Sequence, residues 1–361
     1  MSKARILIVD DDVISRKLLR TLLEREQSAE IVGLAPNGKI ALEKIRQLNP
    51  DLITLDVEMP EMDGIETLKR IRAEWPSLPV IMFSGSTEEG AAVTLEALSL
   101  GASDYVTKPQ GRLGSTLPLE QLKADFLPKI RALCSGPEHA TEPDTPARKA
   151  PRRRPAPTSA GRPDVLVIGV STGGPNALAE VIPLLDPELT IPVMIVQHMP
   201  PLFTRLLAER LNKTSGLEVV EATNGQSVEP GHVYIAPGDF HMRPVQAKEG
   251  VKLALDQGPP VNSCRPAADP LFEAAVAVYG PRVLACVLTG MGRDGMVGCE
   301  HVKDAGGHVV VQDEATSVVW GMPGFVSRNG LADAELPITQ IASELNRRCG
   351  GQEVPRRAKA S

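Results

Sequence analysis

The sequence predicts an α/β protein made of two parallel-sheet domains, and three observations carry that prediction. Short apolar runs alternate with helical stripes in both halves of the chain, the habit of βα units. The length of 361 residues suits about two domains at roughly 100–200 residues each. Between the halves, Gly136 to Pro163 is rich in Pro, Ala, Ser and Arg and lacks any aromatic or large aliphatic side chain. Such a stretch cannot bury enough apolar surface to order itself, and its prolines favour extended conformations. The predicted boundaries are a first domain at 1–133, a linker at 134–163, a second domain at 164–348 and a basic tail at 349–361.

In the first domain Arg5–Val9, Ile31–Leu34, Leu52–Leu55, Val80–Phe83 and Tyr105–Val106 read as strands. The stripe Ile14, Leu18, Leu19, Leu22 and Leu23 marks a helix over Val13–Glu24. Further helices fall near Lys39–Leu48, Ile65–Ala73, Ala91–Leu100 and Leu119–Leu133. In the second domain Val165–Ile168, Val193–Val196, Val233–Ile235, Val283–Leu288 and Val309–Val311 read as strands. Ala177–Leu184, Phe203–Leu211, Leu271–Tyr279 and Met296–Ala305 read as helices. Strands this apolar are buried on both faces, so both sheets are expected to be parallel and the second doubly wound.

The net charge of −6 argues against a dedicated nucleic-acid binder. No apolar run reaches the ~18 residues of a membrane span. The run Ile6–Val9 is too short for a signal peptide and stops at Asp10-Asp11-Asp12, so a cytoplasmic protein with no membrane insertion is expected. The five cysteines are scattered without metal spacing, which predicts buried thiols and an exposed one at Cys349. Arg152-Arg153-Arg154 reads as a solvated part of the linker.

Asp10 and Asp11 follow the first strand and Asp56 ends the third. Functional residues gather at the carboxyl ends of parallel strands, so three carboxylates converge. Their repulsion is relieved by a hard divalent cation, and Mg²⁺ accepts carboxylates together with phosphate oxygens. Lys108, after the last strand, can reach the same pocket, and Ser84 can hydrogen-bond a phosphoryl group there. Asp12 reads as a helix cap. With Met59-Pro60 and Asp63-Gly64, these residues resemble the response-regulator receiver domains. That resemblance implies a (βα)5 flavodoxin-like fold, Mg²⁺ held by Asp10, Asp11 and Asp56, phosphorylation of Asp56, and switch roles for Ser84, Tyr105 and Lys108.

In the second half a strand runs into Gly169-Val170-Ser171-Thr172-Gly173-Gly174, and a helix follows from about Asn176. This is a G-x-S-x-G pattern in a strand–turn–helix setting, although a glycine-rich loop here can also cradle phosphate. A serine nucleophile needs a base. His198 ends the next strand, and Asp294 follows a third within Leu288-Thr289-Gly290-Met291-Gly292-Arg293-Asp294-Gly295. The order Ser, His, Asp differs from that of the α/β-hydrolases. His241 is a competing histidine, expected to contact substrate or support structure, whereas His139, His232, His301 and His308 have weaker claims.

Residues 164–348 resemble the catalytic domain of the chemotaxis protein-glutamate methylesterases, the CheB family. The resemblance is carried by Ser171-Thr172-Gly173-Gly174-Pro175, Val196-Gln197-His198-Met199, Ile235–His241, Leu288–Gly295, Cys264–Phe272 and Gly321-Met322-Pro323. Val170 departs slightly, since the family often has alanine there. It implies Ser171 as nucleophile, His198 as base and acid, Asp294 as its orienter and the backbone N–H of Met291 in the oxyanion hole. It further implies attack on a γ-glutamyl methyl ester, an acyl-enzyme, methanol release and hydrolysis without a cofactor, with glutamine deamidation as a related activity. The implied partners are methyl-accepting chemotaxis receptors as substrate and a chemotaxis histidine kinase as phosphodonor. A docking adaptor is disfavoured by the complete Ser171, His198 and Asp294 set. A transcription factor is disfavoured because 164–348 holds no helix-turn-helix or basic output domain. A hydrolase of another methylated protein stays open.

The linker permits relative movement, and the expectation is that the unphosphorylated first domain hinders access to the hydrolase. Deleting residues 1–140 should then raise basal esterase activity, measured as methanol release. A truncated chain no faster than the resting full-length protein would rule out simple occlusion.

Overall fold

The computed structural model describes residues 3–24, 26, 28–85, 87–108, 116–134 and 161–351. The chain divides into two units, Met1–Glu142 and Pro143–Ser361. Apart from its ends, the predicted linker lies outside the described residues, with His139 and Arg152–Arg154. The tail beyond 351 lies outside them as well.

The first unit alternates strand and helix: β1 (Ala4–Val9), α1 (Val13–Leu23), β2 (Ala29–Ala35), α2 (Gly38–Leu48), β3 (Leu52–Asp56), α3 (Gly64–Glu74), β4 (Val80–Ser84), α4 (Glu88–Ser99), β5 (Asp104–Thr107) and α5 (Thr116–Cys134). The strands pair in the order β2-β1-β3-β4-β5, all parallel. This is the flavodoxin-like order, whose switch point lies between β1 and β3. Ile6, Ile8, Leu52, Ile81, Phe83 and Val106 pack against Leu19, Leu23, Phe126 and Ile130. The first helices start on side-chain caps. Asp12 accepts from Ile14 and Ser15 N–H, Asn37 from Ile40, Asp63 from Glu66 and Thr87 from Gly90.

The second unit runs β6 (Val165–Val170), α6 (Gly174–Val181), β7 (Val193–Gln197), α7 (Phe203–Asn212), β8 (Glu218–Glu221), β9 (His232–Ile235), β10 (His241–Ala247), β11 (Gly250–Asp256), α8 (Ala268–Tyr279), β12 (Val283–Val287), α9 (Met296–Ala305), β13 (His308–Gln312), α10 (Met322–Arg328), β14 (Ala334–Leu336) and α11 (Ile338–Cys349). Seven strands form one parallel sheet in the order β14-β13-β12-β6-β7-β9-β8. The chain builds outward from β6 on one side, then returns to its other side through β12. The switch point of this doubly wound sheet therefore lies between β6 and β12. Val165, Val167, Val196, Val287 and Val311 pack against Leu271, Phe272, Ala275 and Met322.

Several elements go beyond the periodicity. The antiparallel hairpin β10–β11 is disguised by Pro244 and by a mixed polar pattern, as suits strands outside the main sheet. Edge strands β8 and β14 are short, and α11 has its stripe at Ile341, Ala342 and Leu345. Helix α6 begins at Gly174, earlier than the predicted Asn176, and ends where Ile182–Leu184 tighten into a 3₁₀ turn. Cys349, expected to be exposed, is buried, while Cys134 and Cys264 are only half-buried. The amphipathic face of α11 turns its last residue inward. Among the described residues, no helix is long and apolar enough to cross a membrane.

Candidate active site

The first unit gathers its carboxylates at the switch point. Asp10 follows β1, Asp56 ends β3, and β1 pairs with β3 through Val9 and Leu55. Oxygens of Asp10, Asp11 and Asp56 lie within 4.8 Å of one another. Asp10 and Asp56 are buried, whereas Asp11 is exposed. Lys108 Nζ donates to Asp56 Oδ2 at 2.7 Å and lies 3.2 Å from Asp10 Oδ2. The second of these contacts is an ion pair without hydrogen-bond geometry, so Asp10 Oδ2 is a buried oxygen lacking a donor. Burial and the nearby Asp56 charge push the Asp10 carboxyl up to about 6, against the pull of Lys108. Burial raises Asp56 as well, again opposed by Lys108. An under-compensated, oxygen-only cluster of this kind fits a hard divalent cation.

The neighbouring side chains are held in place. Ser84 Oγ accepts from Thr94 Oγ1 at 2.7 Å. Tyr105 is buried, with Lys129 Nζ 5.2 Å from its ring centre.

The second unit assembles its site from three adjacent strands. Ser171 follows β6 and His198 follows β7, and the last paired residues of those strands are Val170 and Gln197. The His198 N–H donates to Val170 O at 3.2 Å. Gln197 Nε2 donates to the carbonyls of both Ser171 and His198, at 3.0 and 3.3 Å, so one buried amide ties the two turns together. On the other side of β6, the loop after β12 comes alongside. Ser171 N–H donates to Thr289 O at 3.0 Å. A Cβ on Gly290 would stand 2.8 Å from Ser171 Cβ, so only glycine lets this loop run so close. Gly173 takes a positive φ of 77°, and a Cβ there would meet Val318 at 2.6 Å.

His198 Nε2 contacts Asp294 Oδ2 at 2.8 Å, and both side chains are largely buried. The rest of Asp294 is saturated. Oδ2 also accepts from Ala268 N–H at 2.5 Å, and Oδ1 from Asn262 Nδ2 at 2.9 Å and Asp269 N–H at 3.2 Å. Ala268 and Asp269 open α8, which has no side-chain cap of its own, so Asp294 receives the free N–H groups and positive dipole end of that helix. Burial alone would raise Asp294, but His198, Ala268 N–H and Asn262 outweigh it and hold the carboxyl low. For His198, burial disfavours the cation, but bonding to Asp294 and to the Cys264 thiol prevails and lifts the imidazole to about 10. Among the described residues, Ser171 Oγ makes no hydrogen bond to the ring.

Three of the other histidines have structural partners, whereas Nδ1 of His301 is buried without a hydrogen-bond partner among the described residues. His241 Nε2 lies 3.1 Å from Pro259 O. His232 stacks on Tyr234 and pairs with Glu218, and His308 lies 3.6 Å from Asp333. Gln197, Asn262 and Asp269 were missed from the sequence, since nothing in their spacing separates a brace from a loop polar residue. The one signal was the Cys264–Phe272 stretch, which contains Asp269 and begins two residues after Asn262.

A family model described as CheB methylesterase matches residues 166–345, and one described as response regulator receiver domain matches 6–114. The chain is 46% identical to a protein-glutamate methylesterase/protein-glutamine glutaminase of Trichodesmium erythraeum, over 97% of this chain and 100% of that protein. It is 48% identical to one of the same name from a Nocardioides species, over 98% and 97%. The crystal structure of the Thermotoga maritima CheB methylesterase catalytic domain is 44% identical, with a TM-score of 0.50. It covers 52% of this chain and 99% of its own.

The acidic pocket makes a prediction about stability. A carboxyl at about 6 when folded, against an ordinary 3.8, binds its proton more tightly folded than unfolded. Its stabilising contribution is complete below 3.8 and is lost as pH rises through 6. Asp10→Asn should therefore raise the stability of the first unit at pH 7 in metal-free buffer, by about 1–3 kcal/mol. It should also abolish Mg²⁺-dependent stabilisation, read by thermal denaturation with and without the ion.

Proposed function

The chain belongs to the CheB methylesterase family and carries a response regulator receiver domain, and from that premise we infer that it is a phosphorylation-activated protein-glutamate methylesterase and protein-glutamine glutaminase of bacterial chemotaxis. It hydrolyses γ-glutamyl methyl esters on chemoreceptors and deamidates glutamines there, with Ser171, His198 and Asp294 as its triad. The observation that carries the triad is the 2.8 Å contact of His198 with Asp294 beside Ser171, at the ends of three neighbouring parallel strands.

The chemistry follows from the donors and acceptors. An ionised Asp294 only accepts, so the proton on the His198–Asp294 axis sits on Nε2. Nδ1 is then the nitrogen that takes the Ser171 proton as the hydroxyl attacks the ester carbonyl. Reactive complexes often tighten a base contact that is loose in the free enzyme. The imidazolium so formed is stabilised by Asp294 and returns its proton to the leaving methanol. Water then repeats the sequence on the acyl-enzyme and releases glutamate. The Met291 N–H is the proposed oxyanion donor, supported by the close approach of Gly290 to Ser171. Such a donor is typically worth about 10²–10³ in rate.

In the receiver, Asp56 is the proposed phosphoryl acceptor, with Asp10, Asp11 and Asp56 as the Mg²⁺ ligands. When bound, the ion neutralises charge on the carboxylates and on the incoming phosphoryl oxygens. Lys108, already on Asp56, is placed to pair with the phosphoryl group. Ser84, whose hydroxyl now donates weakly to Gly85 O at 3.4 Å, would turn that O–H to the phosphoryl group, and Tyr105 responds to the same change. The phosphodonor is proposed to be a chemotaxis histidine kinase.

Two measurements check this reading. Membranes carrying radiolabelled, methyl-esterified chemoreceptors should release methanol, faster with acetyl phosphate and Mg²⁺. Ser171→Ala should release none under either condition, and a Ser171→Ala protein as active as wild type would sink the triad. The raised His198 value means that the neutral base accumulates as pH rises, so the rate should climb through the neutral range. Asp294→Asn should lower kcat by about 10⁴-fold and move that limb to lower pH, because the imidazolium loses its counter-charge. An unmoved limb would remove Asp294 from the orienting role.

A further inference from the structure

Asp294 does not stand alone behind His198. A second carboxylate, Asp269, is largely buried beside it, and one side chain joins the two. Asn262 Nδ2 lies 2.8 Å from Asp269 Oδ2 and 2.9 Å from Asp294 Oδ1. Both partners are acceptors, so the donor end of the amide must face them, and both of its N–H bonds are used. Asp269 is fixed in turn, because its Oδ1 accepts from Gly298 N–H at 2.7 Å at the start of α9.

The backbone is shaped to deliver this contact. Val261 and Cys264 exchange backbone hydrogen bonds of 3.0 and 2.9 Å across a tight turn. The two residues within it, Asn262 and Ser263, have left-handed φ values of 50° and 64°, a region asparagine enters more readily than most residues. The turn is fastened from outside. Arg265 Nε donates to Asp239 Oδ1 at 2.9 Å, and Arg265 Nη1 to the carbonyls of Gln257 and Gly258 at 3.0 and 2.9 Å. An exposed residue thus sends its amide inward to a buried pair. A carboxylate turns easily about its last torsion. The bonds on Oδ2 restrain that rotation at one end, and at the other Oδ1 is held by the Asp269 N–H at 3.2 Å and by the shorter, 2.9 Å bond from Asn262.

We propose that Asn262 is a positioning residue of the hydrolytic centre: braced by Asp269, its amide holds Oδ1 of Asp294 so that Oδ2 stays on His198 Nε2. The proposal rests on the reading of Ser171, His198 and Asp294 as the triad. It places the effect on kcat, because the orientation of Asp294 matters most when His198 becomes a cation, after substrate has bound.

The test uses the full chain with Asn262→Gly, which keeps the left-handed turn and deletes the amide. Its companion is Asn262→Asp, which keeps the shape and removes the donor. The His198 Nε2–H proton is followed by NMR, assigned by its loss in His198→Gln, and methanol release is measured alongside. Both variants should broaden or shift that resonance and lower kcat about 10- to 100-fold. KM should stay within about twofold, and Asn262→Gly should keep its melting temperature. Variants with the wild-type resonance and kcat overturn the proposal. So does a loss of kcat that comes only with a matching change in KM and a lowered melting temperature. If the resonance responds as expected but wild type releases no methanol, the functional reading fails and the positioning role stands.

Discussion

The parallel pairing of β6 with β7 on one side and β12 on the other is the constraint on which the hydrolytic half depends. Parallel strands bring their carboxyl ends to one edge, and the register of β6 with β7 places the residues after Val170 and Gln197 side by side. The loop after β12 can then reach Ser171 only because Gly290 has no side chain. Gln197 closes the arrangement from below by bonding the carbonyls of both Ser171 and His198. None of these contacts is strong singly. Together they limit the turns to one relative placement, which acid–base chemistry between short side chains requires.

The two units treat buried carboxylates in opposite ways, and the contrast explains their chemistry. Asp294 is buried yet held low, because His198, two backbone N–H groups of α8 and the Asn262 amide meet its oxygens. It therefore serves as a permanent anion opposite a histidine. Asp10 is buried at similar depth yet pushed up, because burial and the Asp56 charge beside it outweigh the pull of Lys108. That pocket is left short of positive charge by protein alone, a state that suits a cation and a transferable phosphoryl group. Burial pushes every one of these carboxyls up, and Asp294 ends low because His198 and its hydrogen-bond donors outweigh it. Asp269 goes the way of Asp10: its own burial and then the neighbouring Asp294 charge lift it to about 6, although both of its oxygens have donors.

Much of the fold was legible because buried parallel strands are apolar, short and punctuated. Val165–Ile168, Val193–Val196 and Met296–Ala305 could be placed almost to the residue. The β10–β11 hairpin could not, since Pro244 and its exposed polar residues break any alternation. Cys349 was misjudged for a related reason: its burial is a property of the face that α11 turns inward, not of its neighbours along the chain.

By itself the sequence determined the residue types at the strand ends: Asp10, Asp56 and Lys108 in one unit, Ser171, His198 and Asp294 in the other. These were readable because chemistry at a parallel sheet edge needs particular functional groups directly after apolar runs. Tertiary structure alone decided how those groups are held. Which nitrogen of His198 meets Asp294, which helix lends its N–H groups, and that Asn262 spans two carboxylates all depend on contacts between segments far apart in the chain. Hydrogen bonds are short and directional, so angles and distances of a fraction of an ångström select the partner, and residue order carries no such information.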